Sequence, residues 1–482
     1  MLPDTARTRA YSISVFFALC ATSCGGPPEK ALALAADPGL IEMSLDTTRG
    51  LVPADRESQL AVRVRIEAGD LPARSRPTLN LAVVIDTSSS MEGEAIGAAR
   101  NAATAIIDQL RDGDRISVIG FGSEPEVLIE STVLSAPLRS KMRNKIERLR
   151  AHGTTDLAGG LAAGLGQLSR GRAAGTISRV VLLSDGIPND VTQIPQLTQQ
   201  ANALQAPIAA LGLGLDFDEN MLGELAANTG GVYRYLEKAE VVAEVFEREV
   251  LRLQQLVARN LVVTLTAGPG VRIDDIPGFP MSGDGNRRHA TVGDLAAGEV
   301  RDLIVPIEVV GRRDGATVEL MDATLQFEDV VGQSGSQRRT GFVATRSSSD
   351  EKALAKAVVV DVEVAVERAA AAGAILQAIA LARSGQLEAG KELLGTAETK
   401  ARDAAARFAD KELTELADRI QELEPNLRTI VPQPVAHPTA AGFGATGFSD
   451  DDTAPPEAAD RDFEPQPAAV KRSHSRAMKS LR

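Results

Sequence analysis

From Leu79 to about Arg259 the chain alternates near-continuous apolar runs with stretches of helical period. The runs "LNLAVVID", "RISVIGFG", "RVVLLSDG" and "PIAALGLG" read as strands. The segments between them, such as "GEAIGAARNAATAIIDQL" and "DLAGGLAAGLGQLSRG", read as helices. Strands apolar on both sides belong to a largely parallel sheet covered by helices on both faces, so the pattern specifies an α/β, Rossmann-like unit. "EPEVLIE" directly after "GFGS" adds one antiparallel hairpin at the sheet edge. Val242, Val245, Phe246, Val250, Leu253 and Leu256 place a long amphipathic helix at the end of the unit.

The flanks have a different period. In "SQLAVRVRIEA", Leu60, Val62, Val64 and Ile66 fall on one face, the mark of a half-buried strand, and strand patterns return in "LVVTLTA", "VRDLIVPIEVV", "TVELMDATLQFED" and "GFVATR". The strands before Leu79 are too few to bury a face alone. The expectation is therefore one β-sandwich interrupted by the α/β unit: residues 41–78 supply its first strands, 79–259 are the insertion, and 260–346 complete it. Residues 350–425, rich in Ala, Leu and Glu, predict a small helical domain of two or three helices broken at "SGQ". The tail, 427–482, is poor in apolar residues and is expected to be disordered, its basic end "KRSHSRAMKSLR" solvated.

The N-terminus has the layout of a secretory signal: Arg7 and Arg9, the apolar run Ile13 to Ala21, then small residues. That run is too short for a membrane span, which needs about 20 apolar residues. "ATSC" before Gly25 resembles a bacterial lipoprotein cleavage box, which makes 1–23 the signal peptide, Cys24 the lipidated first residue and 24–40 a linker. Cys20 and Cys24 are the two cysteines of the chain, so disulfides and thiolate metal sites are excluded from the mature protein. Four scattered histidines make a zinc site unlikely on spacing. The net charge of −13, with no basic stripe and no Trp, argues against nucleic acid as a partner.

One strand ends on a carboxylate followed by hydroxyls: Asp86, then Thr87, Ser88, Ser89 and Ser90. In an open parallel sheet, ligands bind beyond the carboxyl ends of the strands. Spacing of two along an extended loop turns Asp86, Ser88 and Ser90 to one side, an all-oxygen set suited to a hard cation, although from this motif alone a helix cap is the favoured reading. Thr155 in "HGTTDLAGGL" and Asp185 in "VVLLSDG" fall at the same sheet edge, giving five oxygen-bearing groups. Asn189 and Asp190 read as rim or cap residues, and His152 as a loop residue. "LGLGL" (Leu211 to Leu215) lacks the third glycine and the ribose-binding acid of a dinucleotide fingerprint.

These residues resemble the von Willebrand factor A domain with its metal-ion-dependent adhesion site. The pattern is Asp-x-Ser-x-Ser after the first strand (Asp86, Ser88, Ser90), a Thr five residues before a Gly-Leu pair (Thr155), and Asp-Gly after the fourth strand (Asp185). The sequence after Gly293 also looks like the flanks of bacterial secreted proteins with this domain. The resemblance implies a Mg²⁺ site, or one for Mn²⁺ or Ca²⁺, whose open position takes a partner's Asp or Glu. It implies no enzyme, since no nucleophile, general base or P-loop accompanies the motif. The expected function is a lipid-anchored, bacterial cell-envelope protein-binding module facing periplasm or exterior. The alternative is an assembly factor of an envelope complex in which the metal only stabilises the domain.

Overall fold

The computed structural model describes residues 39–71, 76–173, 175–215, 217–430 and 468–481. The signal segment, Cys24 and most of the linker lie outside the described residues.

Six strands form the central sheet, in the order Pro125–Val133, Arg115–Phe121, Thr78–Asp86, Thr176–Ser184, Ile208–Leu213 and Val232–Leu236. Neighbours run parallel except for the first pair, the edge hairpin. Thr78–Asp86 lacks a polar face because both of its faces are buried. Leu79, Leu81, Val83 and Ile85 enter one core with helices Glu94–Gln109 and Val242–Gln254. Ala82 and Val84 enter the other with Leu157–Arg170, Ile194–Ala203 and Glu219–Asn228. Each fully buried Val, Leu or Ile stabilises the fold by roughly 1.5–3 kcal/mol. Glycines let Leu157–Arg170 lie close: a Cβ at Gly160 would stand 2.7 Å from the Phe121 ring, and one at Gly164 2.7 Å from Val84 Cγ2. Strand order reverses at Thr78–Asp86, whose two neighbours connect in opposite directions, and this opens a crevice at its carboxyl end.

The α/β unit interrupts a β-sandwich. One sheet is Ile41–Thr47, Ser58–Ala68, Val300–Val309 and Val271–Ile273. The other is Met281–Asp284, Arg287–Ala296, Leu256–Ala267, Thr317–Asp329, Gly335–Ser348 and Leu51–Pro53. Ser58–Ala68 pairs with strands from both sides of the insertion, Val64 facing Leu45 and Leu303 in register. Leu60, Val62, Val64 and Ile66 enter the sandwich core, as their shared face predicts. The opposite face of this strand is exposed at Gln59 and Glu67 but covered at its centre. Ala61 and Ile304 join the core of the helical region, and the buried Arg63 donates to Asp46 at 3.0 Å and Asp361 at 2.9 Å. The buried pair Arg179–Asp294 ties the central sheet to the sandwich.

Three long helices follow, Val360–Arg383, Leu387–Phe408 and Lys411–Asn426, the first two separated at Gly385 with φ +80°. Val360–Arg383 is long and apolar enough to cross a membrane, yet its Ala372, Ile375, Ala378 and Ile379 lie in the core of this region.

The expectation of a disordered tail fails at both of its described ends. Leu427–Thr429 continues as a 3₁₀ turn that buries Leu427, and Ala468–Ser480 is a helix wedged between the central sheet and the long helices. Its low apolar content concealed the dock, because much of what it buries is polar and is partnered elsewhere. Lys471 Nζ donates to the Phe217 carbonyl at 2.6 Å and sits over the Phe217 ring, and Ser475 Oγ accepts from the Tyr235 amide at 3.2 Å. Residues 431–467 lie outside the described residues.

Candidate functional site

At the carboxyl end of Thr78–Asp86, one carboxylate oxygen of Asp86 accepts from the Ser88 amide at 2.8 Å, and the other accepts from Ser184 Oγ at 2.7 Å. The Ser88 and Ser90 hydroxyls share a hydrogen bond of 2.9 Å, and Ser90 Oγ donates to Asp185 at 2.8 Å. A Cβ on Gly186 would stand 3.0 Å from Thr155 Oγ1 and 3.6 Å from Ser90 Oγ. The absence of a side chain there lets the three loops converge. Asp86, Ser88, Ser90, Thr155 and Asp185 thus meet at one place.

The route to this convergence differs from the expected extended loop. Ser88 is extended, with φ −60° and ψ 165°, but Ser89–Met91 is a 3₁₀ turn that swings Ser90 back over Ser88 and sends Ser89 outward to the Gly153 carbonyl. The cap reading of this motif fails. Helix Glu94–Gln109 is preceded by Gly93 at φ +89°, with no side-chain cap, and the 3₁₀ turn has none either. Thr154, the neighbour of Thr155, is exposed and bonds to Asn189 and Ser123 instead.

Two residues brace the site: Ser184, which sequence reasoning missed, and Asn189, which it read as a rim or cap residue. Ser184, fully buried at the last position of its strand, hydrogen-bonds Asp86; the signal was a hydroxyl interrupting "VVLL" directly before Asp185. Asn189 does not cap a helix. Its amide donates to the Thr155 carbonyl at 3.1 Å and its side chain to Thr154 at 2.8 Å, which pins two loops together. Asp190 closes a turn on Thr192 rather than capping Ile194–Ala203. His152 is an exposed loop residue. Gly212 makes room for the Phe217 ring, which a Cβ would meet at 2.2 Å, so "LGLGL" is explained by packing.

Asp86 is fully buried. Burial pushes its carboxyl above the ordinary carboxylate value, against the hydrogen bonds from Ser88 and Ser184 that lower it. Its hydrogen bonds come from neutral donors, so its charge is solvated by dipoles and not cancelled by a cationic side chain. The donor set is two carboxylates and three hydroxyls, all oxygen, which fits a hard divalent cation. No cluster of three or more His, Cys, Asp or Glu occurs among the described residues.

Comparison with known proteins agrees with this geometry. Residues 79–235 match the family model of the von Willebrand factor type A domain. The uncharacterised protein sll0103 of Synechocystis sp. is 24% identical over 306 residues, spanning 61% of this chain and 68% of that one. The uncharacterised protein YfbK of Escherichia coli is 24% identical over 226 residues, covering 45% of this chain but only 39% of that one. Among solved structures, a von Willebrand factor type A protein from Catenulispora acidiphila superposes with a TM-score of 0.64 at 18% identity, covering 81% of this chain and 92% of that one. That superposition reaches well beyond residues 79–235, so the likeness of fold includes the flanking regions. The α/β unit, whose residues 79–235 match that family model, therefore has the fold of a von Willebrand factor type A domain, set within a β-sandwich and followed by a helical region.

Proposed function

We propose that Asp86, Ser88, Ser90, Thr155 and Asp185 hold a divalent cation, Mg²⁺ or its substitutes Mn²⁺ and Ca²⁺, and that the protein is a non-enzymatic binding module. The observation that carries this reading is Asp86, a fully buried carboxylate held by neutral donors beside a second carboxylate and converging hydroxyls. A divalent ion supplies the missing positive charge. With one or two carboxylates as ligands it retains residual charge, and a carboxylate from a protein partner completes the balance. Asp86 and Asp185 provide charge, Ser88, Ser90 and Thr155 provide neutral oxygens, and Ser184 and Asn189 fix the positions of these groups.

The lipoprotein-like segment ending at Cys24 supports a cell-envelope location, with the folded chain tethered to a membrane. The alternative reading is an assembly factor of an envelope complex, in which the metal only stabilises the domain. The two readings part on one experiment, in which partners captured from an envelope extract are compared in Mg²⁺ and in EDTA, with wild type and Asp86→Ala. The binding-module reading expects capture that needs both the metal and Asp86. Capture indifferent to both contradicts it.

A further inference from the structure

The surroundings of the proposed metal centre restrict which acidic group it can take. Ile187, Val191 and Leu215 are large apolar side chains with 37%, 40% and 39% of their surface exposed. Single exposed apolar residues are common and need no explanation, but these three share one sheet edge. Ile187 and Val191 lie on the loop after Asp185, and Leu215 on the loop after the next strand. Ser184 and Gly212 are register partners in those parallel strands. Ile187 and Leu215 each follow that pair by three residues, so the two loops leave the sheet side by side.

The charge on the same rim has one dominant sign. The loops after Asp86, Phe121 and Ser184, with the loop before Leu157–Arg170, expose Glu92, Glu124, Glu147 and Asp190 against Arg148 and Arg150 among the described residues. A run of acids approaching the site meets this negative rim, and each carboxylate beyond the one at the metal is repelled. A single carboxylate between apolar side chains avoids that cost and covers the exposed apolar residues as it docks. We infer that the partner segment presents a solitary Asp or Glu flanked by apolar residues, with Ile187, Val191 and Leu215 as its specificity contacts. The inference rests on the metal-bridged reading above.

The test uses the full chain in Mg²⁺ and three fluorescein-labelled peptides: one Asp between two Leu, one Asp between two Ser, and three consecutive Asp between Gly. The expected result is at least tenfold tighter binding of the Leu-flanked peptide than of either other. The preference should fall below threefold in the triple variant Ile187→Ser, Val191→Ser, Leu215→Ser, with circular dichroism checking its fold. Equal binding of the three peptides, tighter binding of the triple Asp, no binding of the Leu-flanked peptide up to millimolar concentration, or a preference that survives the triple variant overturns the inference. EDTA separates the two levels. If the three peptides bind with equal affinity and all need Mg²⁺, the flank preference is wrong and the metal reading stands. If the Leu-flanked peptide binds as well in EDTA, the metal reading itself fails.

Discussion

Two carboxylates in the same α/β unit are almost completely buried, Asp86 at 0% exposure and Glu219 at 1%, and the protein treats them in opposite ways. Glu219, at the start of helix Glu219–Asn228, is paired with Arg383 from the helical region and lies 3.4 Å from Lys471 of the C-terminal helix. Its charge is cancelled by cations that arrive from distant parts of the chain, so it fastens three segments together. Asp86 receives hydroxyls and amides only as hydrogen-bond donors, which solvate a charge without cancelling it. One carboxylate is structurally complete, and the other is the one we propose to hold a cation. Burial alone does not mark a functional carboxylate; burial with neutral donors does.

The largest expected effect tests the Glu219 side. Glu219→Gln strands Arg383 and Lys471 as buried cations, and breaking a buried pair in this way costs about 3–5 kcal/mol. Urea denaturation should show a loss of that order. A loss below about 1 kcal/mol would mean that the cluster is wetter and looser than described, and the contrast with Asp86 would weaken.

The next effect is pH-dependent and belongs to the same cluster. His474 on the C-terminal helix is buried, its ring edge against Tyr233. Burial first, then Arg383 and Lys471, push its imidazole from 6.5 down to about 3. A histidine with a depressed folded value stabilises the docked state fully above its unfolded value. That stability is lost as pH falls from 6.5 towards 3, at ~1.4 kcal/mol per pH unit, so about 2 kcal/mol is gone by pH 5. Hydrogen exchange over residues 468–481 should accelerate between pH 7 and pH 5 beyond the intrinsic rate change, and His474→Phe should remove that excess. Unchanged protection at pH 5 contradicts the buried placement of His474.

A smaller effect is expected within the sheet that carries the metal site. Gly164→Ala drives a methyl into Val84 and should cost about 1–3 kcal/mol through overpacking. Because Gly164 lies below the loops, its Mg²⁺ affinity should stay within threefold of wild type. A large drop would show that the site depends on how closely the helix lies against Thr78–Asp86.

The smallest stability change is expected at Asp86. Asp86→Asn keeps the shape and removes a carboxylate whose ionised form burial disfavours, so in EDTA it should melt within about 1 kcal/mol of wild type or slightly above it. Addition of Mg²⁺ should raise the wild-type melting temperature and leave the variant unmoved. A variant that is strongly destabilised in EDTA would place Asp86 with Glu219 as a structural carboxylate.

The same contrast explains what was legible in the sequence. Thr78–Asp86 announced itself because both of its faces are apolar, and Leu60 to Ile66 because one of theirs is. The site residues stood out as oxygen-bearing side chains at the ends of apolar runs, so Asp86, Ser88, Ser90, Thr155 and Asp185 were found before any geometry. Contacts set by tertiary packing were hidden. Ser184 left one mark, a hydroxyl at the end of "VVLL", but nothing local gives its bond to Asp86, the pinning role of Asn189 or the 3₁₀ turn that aims Ser90. The buried place of Arg63 and the dock of Ala468–Ser480 depend on partners that are remote in sequence, among them Asp361, Glu219 and Phe217. Lys471 and His474 are polar residues in a polar segment, and only their distant partners make them part of a core.

The central claim is that the neutral donors around Asp86 leave a place for one divalent cation. Isothermal titration of the full chain with Mg²⁺, repeated with Asp86→Ala and Asp185→Ala, tests it most directly. The account predicts one site per wild-type chain and at least a hundredfold weaker binding in each variant. Equal Mg²⁺ binding by wild type and both variants, or none by wild type at millimolar metal, would contradict it.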